Sequence, residues 1–175
     1  SGNLCQESFS NFSPTKVGKV ILDEENKVIT QQSESGYIHT CNLVSLNLSL
    51  LLESEELAKA SKIAVTILDN TIDLTVTPIA ESNLHNLHYR TIGIGAMGLA
   101  DYLAINKLSY KGDKVTLDEV NNLFEFIAYN VVKKSADLAI EKGKYPKFEG
   151  SDWSKGVFFG KDKKWFEKNS DMKNE

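Results

Sequence analysis

The stretch of sequence that decides the fold is Cys41-Asn42-Leu43-Val44-Ser45-Leu46-Asn47-Leu48. Apolar residues recur at positions 44, 46, 48 and 50, with serine and asparagine between them. A period of two residues is typical of a β-strand, because successive side chains point to opposite faces. The interleaved residues are small and uncharged, so the second face of this strand either lines a polar cavity or meets solvent. We predict a β-strand within residues 37–52.

Helical patterns follow this strand. Within Ser54–Thr75 apolar side chains recur at spacings of three and four, and Pro78 cannot continue a helix. Thr116 and Glu119 form a capping box, which places a helix start at Thr116. A polar link at residues 80–92 is expected to be partly helical. We predict helices at 54–76, 96–107 and 116–142.

Two short β-prone runs lie closer to the N-terminus. Val17–Leu22 and Lys27–Thr30 flank the acidic turn at residues 23–26, a pattern that indicates a hairpin. Short strands and longer helices are therefore both expected, and helix predominates in this segment.

Composition excludes several classes of protein. The chain has 175 residues and a net charge of −4 from 20 basic and 24 acidic side chains, which does not provide a broad nucleic-acid-binding surface. We see no apolar run of the ~18 residues that a membrane span needs and no signal peptide. Two cysteines exclude a disulfide scaffold and favour a reducing, cytoplasmic compartment.

Two further motifs have simple interpretations. Gly93, Gly95 and Gly98 match the dinucleotide-binding pattern G-x-G-x-x-G, but residues 86–90 before them make a poor buried strand. Close helix packing explains these glycines better than a nucleotide site, although a nucleotide-binding module stays open as a third interpretation. His85 and His88 have a spacing that can share a metal, yet no neighbouring ligands complete a set, so we expect surface or packing roles and no metal.

A compact polar set lies near the N-terminus. In an extended segment Asn3, Cys5 and Glu7 project to one side, so an amide, a thiol and a carboxylate share a face. Such a face suits a site where Glu7 removes a hydroxyl proton while Cys5 reacts beside it. On spacing alone, a frayed terminus with a buried cysteine is the simpler interpretation.

Three segments together resemble one family. Residues 3–7, Asn-Leu-Cys-Gln-Glu, resemble the N-L-C-x-E loop of the large (alpha, catalytic) subunit of class I ribonucleotide reductase. Residues 41–48 resemble that subunit's C-N-L-x-S-L-N-L strand, and residues 90–95 resemble its R-T-x-G-I-G segment. The order of the three motifs matches, and Leu4 favours class I over the adenosylcobalamin-dependent class.

The resemblance implies roles for individual residues. Cys5 matches the cysteine that becomes a thiyl radical and takes the 3′-hydrogen of a ribonucleotide. Glu7 matches the carboxylate that deprotonates the 3′-hydroxyl, and Asn3 matches the amide that hydrogen-bonds the substrate. Cys41 matches one of the two cysteines that reduce the 2′ position and end as a disulfide. Asn3, Cys41 and Leu43 are expected to contact the substrate.

The same resemblance implies a fold and partners. The family fold is a ten-stranded α/β barrel, and residues 1–175 correspond to its central-to-late portion, with the thiyl loop at 1–13. Expected partners are a metal-containing beta subunit that supplies the radical, the remainder of the alpha subunit or a complementary alpha chain, and a thioredoxin- or glutaredoxin-type reductant. No cofactor is expected to bind this segment directly, and the ATP/dNTP effector regions have no counterpart here.

Several family features also have no counterpart in this sequence: a third cysteine, the phosphate-binding loop and a Tyr-Tyr pair. We therefore expect a fragment of a ribonucleoside-diphosphate reductase whose isolated chain shows no turnover. The alternative is a non-catalytic fragment or split-chain partner that completes a reductase barrel.

Overall fold

The computed structural model describes residues 8–158, 161 and 164. It has an N-terminal hairpin followed by a β-α-α-β unit and two further helices. The hairpin joins strand β1 (Lys16–Leu22) to strand β2 (Val28–Glu34) in antiparallel pairing. The Asp23 carboxylate accepts hydrogen bonds from the backbone amides of Glu25 and Lys27 at 2.9 and 2.8 Å, which fixes the turn between them.

A parallel strand pair lies at the centre of the described chain. Strand β3 (Leu43–Asn47) pairs with strand β4 (Gly93–Met97), and Leu43 faces Gly93 while Asn47 faces Met97. Helices α1 (Ser54–Leu74) and α2 (Ala80–Tyr89) form the connection between these two strands. A crossover between parallel strands is the basic unit of α/β folds, so the α/β class is correct.

Two more helices complete the described part. Helix α3 (Leu99–Ile105) follows β4, and helix α4 (Lys114–Lys142) packs against α1. A short 3₁₀ turn covers Trp153–Lys155. The buried core joins residues from β3, the turn after it and three helices: Leu46, Leu48, Leu57, Ala64, Tyr102, Leu103, Leu123 and Ile127. In the described part of the chain, each helix is too short or too polar to cross a membrane.

The central strand is shorter than the predicted range of 37–52. It ends at Asn47, whose side-chain oxygen accepts hydrogen bonds from the backbone amide and the hydroxyl of Ser49 at 3.3 and 2.8 Å. The amide of Leu50 then bonds to the carbonyl of Asn47 at 3.2 Å, so the chain turns although the apolar alternation continues. A local side-chain bond has overridden the strand pattern here.

Two helix starts also differ from the predicted ones. Helix α4 begins at Lys114, because Asp113 is its N-cap and accepts a hydrogen bond from the amide of Thr116 at 3.0 Å. The predicted helix start at Thr116 was therefore wrong, because Asp113, three residues earlier, is the N-cap. The range 96–107 was wrong at its start, since Ala96 and Met97 belong to β4.

The expectation that Gly93, Gly95 and Gly98 serve close helix packing was wrong for Gly93 and Gly95. Gly93 and Gly95 lie within β4, where they pair with β3. Gly98 has a φ of 75°, and a Cβ placed there would lie 2.8 Å from the side-chain oxygen of Asn47. Gly98 therefore permits both a left-handed turn into α3 and close approach to the turn after β3.

Candidate functional site

The candidate site begins at the N-terminal end of β3. Cys41 is exposed, and Leu43 is half-buried as the first residue of the strand. Asn42 lies between them and is buried. Burial therefore alternates along these residues. Solvent or another molecule can reach the thiol of Cys41, while its neighbour Asn42 is held in the interior. Asn3, Cys5 and Glu7, the other predicted site residues, lie outside the described residues.

Asn42 anchors this end of the strand. Its side-chain amide donates to the carboxamide oxygen of Asn86 and to the backbone carbonyl of Thr91, both at 3.0 Å. Its own carbonyl accepts from the amide of Gly93 at 2.9 Å. These three bonds tie the start of β3 to α2 and β4 in a buried setting, so the backbone at Cys41 is held by two neighbouring elements.

A histidine–serine cluster adjoins this anchor, and we define it as Ser8, Ser10, His39, His85 and Thr91. Nε2 of His39 lies 2.9 Å from the hydroxyl of Ser8, and Nε2 of His85 lies 2.8 Å from the hydroxyl of Ser10. The Thr91 hydroxyl donates to that of Ser10 at 2.9 Å. The two imidazole rings are 5.2 Å apart. The cluster thus joins the N-terminal loop to α2 and to the segment that leads into β3.

Burial controls the charge of His85. The side chain of His85 is fully buried, and burial, with a smaller contribution from the neighbouring His39, lowers its pKa to about 4. His85 is therefore neutral near pH 7. Its ring also stacks on Tyr89 at 5.1 Å with the planes 26° apart. A neutral imidazole can donate or accept at Nε2, which suits a serine hydroxyl that can do either.

His85 and His88 do not share one partner. His88 accepts or donates at Nδ1 with the hydroxyl of Tyr37 at 2.7 Å, whereas His85 bonds to Ser10. Tyr37 in turn packs edge-on against Tyr89 at 5.0 Å. Each histidine of the pair has a packing role in the described structure.

A second polar network lies at the ends of three helices. Arg90 ends α2 in a left-handed conformation, and its Nη2 and Nη1 contact Asp69 and Asp73 of α1, each at 2.6 Å. Lys142 at the end of α4 contacts Asp69 at 2.6 Å. The Arg90 hydrogen bond is the main cause of a lowered pKa at Asp73. These residues line a cavity of about 480 Å³.

Sequence reasoning missed the histidine–serine cluster and the Arg90 network. His39 and Cys41 are separated by one residue, and Ser8 follows Glu7 directly, so proximity to the predicted residues was the available signal. Asp69 and Asp73 stand one helical turn apart, which places two carboxylates on one face of α1. Nothing in local pattern indicated that Arg90 would meet them.

Comparison with known proteins places these residues in a wider context. The family model described as "Ribonucleotide reductase, barrel domain" matches residues 1–175. The chain is 46% identical over 169 residues to the ribonucleoside-diphosphate reductase subunit alpha of Synechocystis sp. (strain ATCC 27184 / PCC 6803 / Kazusa), a match covering 96% of this chain and 19% of that protein.

Two further relatives carry the same name. The subunit alpha of Helicobacter pylori (strain ATCC 700392 / 26695) is 34% identical over 193 residues, covering 90% of this chain and 24% of that protein. The subunit alpha of Treponema pallidum (strain Nichols) is 37% identical over 163 residues, covering 91% of this chain and 19% of that protein. The chain therefore spans about a fifth to a quarter of the length of these curated relatives.

Proposed function

Because this chain belongs to the ribonucleotide reductase barrel-domain family, we propose that it forms the central-to-late part of the catalytic barrel of a large subunit. The proposed activity of that subunit is reduction of ribonucleoside diphosphates to deoxyribonucleoside diphosphates. The names of the relatives support this activity. A cytoplasmic location stays a prediction from cysteine usage.

One contact carries the proposal: the hydroxyl of Ser8 lies 2.9 Å from Nε2 of His39. Ser8 is three residues after Cys5, and His39 is two residues before Cys41. A chain advances at most about 3.6 Å per residue, so three residues span at most about 11 Å and two at most about 7 Å. The contact therefore joins the segment that follows Cys5 to the segment that precedes Cys41, which supports a shared active site.

We assign the chemistry residue by residue. Cys5 as a thiyl radical takes the 3′-hydrogen of the ribonucleotide, and Glu7 accepts the proton of the 3′-hydroxyl. Asn3 hydrogen-bonds the substrate, and Leu43 contacts it from the start of β3. The 2′-hydroxyl leaves as water while Cys41 and a second cysteine are oxidised to a disulfide. Cys5 then returns the hydrogen to the 3′ position.

This scheme needs groups from outside the 175 residues. The second reducing cysteine comes from the rest of the alpha subunit, because the chain holds only Cys5 and Cys41. The radical comes from a metal-containing beta subunit, and a thioredoxin- or glutaredoxin-type reductant reopens the disulfide after each turnover. The isolated segment is accordingly proposed to be inactive.

The test uses the full-length alpha subunit with its beta subunit, measuring deoxyribonucleotide formation with thioredoxin as reductant. Cys5→Ser is expected to abolish turnover. Cys41→Ser is expected to abolish it as well, because no disulfide can form to supply the two reducing electrons. Glu7→Gln is expected to slow turnover by about 10²- to 10⁴-fold. Thr66→Ala is the control, because Thr66 is half-buried and its hydroxyl donates within α1, to the carbonyl of Lys62 at 3.1 Å. Wild-type turnover in Cys5→Ser would show that the assignment is wrong.

One observation favours the alternative of a split-chain partner. In the described residues, β3 and β4 form a parallel sheet of two strands. Parallel sheets are normally larger and covered on both faces, so such a pair leaves strand edges for further strands. Co-purification of the segment with a second alpha-type chain that carries the missing cysteine would support this function. A stable monomer that ignores such a chain would count against it.

A further inference from the structure

The histidine–serine cluster has a geometry that links two separate parts of the proposed site. Ser8 and Ser10 belong to the loop that follows Glu7, and both are held by imidazole nitrogens that come from distant positions in the chain. The partners are 31 and 75 residues away in sequence. Such long-range bonds fix where a loop lies, since the loop's own short-range contacts do not determine its place against a strand.

These hydrogen bonds lie in surroundings that water barely reaches. Ser8 is only 2% exposed and His85 is 0% exposed, so water competes little for either group. His85 is stacked on Tyr89, and Ser10 receives a second bond from Thr91 at 2.9 Å. Thr91 also offers its carbonyl to Asn42 at 3.0 Å. One continuous set of contacts therefore runs from the loop to the residue beside Cys41.

We propose that His39 and His85 are positioning residues that hold Ser8 and Ser10, in the loop that follows Glu7, beside the Cys41 end of β3. This inference rests on the proposed function for the identity of the reacting groups. Each imidazole holds one serine of this loop through its Nε2 atom. Neither histidine touches the reacting atoms in this proposal.

Paired substitutions separate hydrogen bonding from packing. The terminal amide of glutamine reaches about as far as Nε2 of histidine, whereas that of asparagine reaches only as far as Nδ1. His39→Gln and His85→Gln are therefore expected to keep the bonds to Ser8 and Ser10, and His39→Asn and His85→Asn to lose them. Asn83→Ala is the matched control on α2, because Asn83 bonds to Thr77 and not to the loop.

The experiment measures loop position in the full-length alpha subunit. Hydrogen exchange is followed at the amide of Ser13, which donates to the carbonyl of Tyr37 at 3.0 Å, and the alkylation rate of Cys5 is followed with iodoacetamide. We expect both rates to rise about three- to tenfold in the asparagine variants, the effect of losing one hydrogen bond. The glutamine variants and Asn83→Ala are expected within twofold of wild type.

Turnover with the beta subunit provides the second readout. Asparagine variants are expected to lower kcat about tenfold or more with KM within twofold, because misplaced reacting groups slow the chemical step. Unchanged exchange and alkylation in the asparagine variants would overturn the proposal, and so would equal effects of glutamine and asparagine. Altered loop rates with wild-type kcat would overturn the positioning role. Because exchange and alkylation need no reductase activity, they test the loop contacts even if the proposed function fails.

Discussion

Removal of the Arg90 guanidinium should loosen the junction of three helices. Nε and Nη2 of Arg90 donate to one carboxylate oxygen of Asp69 at 3.1 and 2.6 Å, and Nη2 also donates to the Asp69 carbonyl at 3.0 Å. Nη1 donates to Asp73 at 2.6 Å. The substitution Arg90→Met keeps an unbranched apolar stem and deletes all four bonds.

The two carboxylates contribute unequally. The side chains of Arg90 and Asp69 are 22% and 16% exposed, so their bonds lie in the range of about 1.5–3 kcal/mol for charged groups. Asp73 is 47% exposed, and solvent screening limits its contribution to about 0.5 kcal/mol. Lys142 remains beside Asp69 and offsets part of the loss. We expect Arg90→Met to cost about 2 kcal/mol, and Arg90→Lys about 1 kcal/mol because lysine keeps the charge without the fork.

Hydrogen exchange in the full-length subunit measures this cost locally. The amides of Thr75 and Gly143 close the ends of α1 and α4 through bonds to Thr71 and Ala139, both at 3.0 Å. A loss of about 2 kcal/mol corresponds to about 30-fold faster exchange at these amides. Lys144→Met is the control, because its ion pair with Glu149 is exposed on both sides. Acceleration below threefold in Arg90→Met would refute the reasoning.

Three further predictions concern the core, a helix cap and pH. Leu48 is 0% exposed, so Leu48→Ala should lower the free energy of unfolding by about 3–5 kcal/mol. The loss is measured as a shift in the urea midpoint, and a loss under about 1 kcal/mol would contradict the packing of Leu48. Asp113→Ala removes the N-cap of α4 and should cost about 1 kcal/mol, seen as faster amide exchange at Thr116 and not in α1. The pKa of His85 is about 4 in the folded chain against 6.5 for the free side chain, so acid favours the unfolded state. The free energy of unfolding should therefore fall by up to about 3 kcal/mol between pH 7 and pH 4. The measurement is hydrogen exchange, followed against pH at the Arg90 amide, which bonds to the carbonyl of Asn86. His85→Gln should lack this loss of stability, and identical pH profiles for the variant and the wild type would contradict the prediction.

Local patterns predicted those elements whose signal lies within one segment. The stripe of apolar residues in α1 and the alternation through Leu46 and Leu48 depend on neighbours along the chain, so the sequence alone shows them. The predicted hairpin lies where β1 and β2 pair. The family followed from motifs at residues 3–7, 41–48 and 90–95, and the match over residues 1–175 confirms it.

Other features depended on contacts between distant segments. Strand β4 contains Gly93 and Gly95 and has weak strand propensity, so pairing with β3 and not its own composition makes it a strand. The N-cap at Asp113 was missed because Thr116 and Glu119, which begin three residues later, match the capping-box pattern. The bonds from His85 to Ser10 and from Arg90 to Asp69 cross 75 and 21 residues, a separation that no periodicity can report.

By itself, then, the sequence determined the α/β class, the family and the identity of the residues proposed for chemistry, because each is encoded in side-chain type and short-range spacing. Only the tertiary structure decided how those residues are held. The neutrality of His85, the anchoring of Asn42 and the contact between Ser8 and His39 all follow from burial and long-range hydrogen bonding. Both of these exist only when distant segments have excluded water between them.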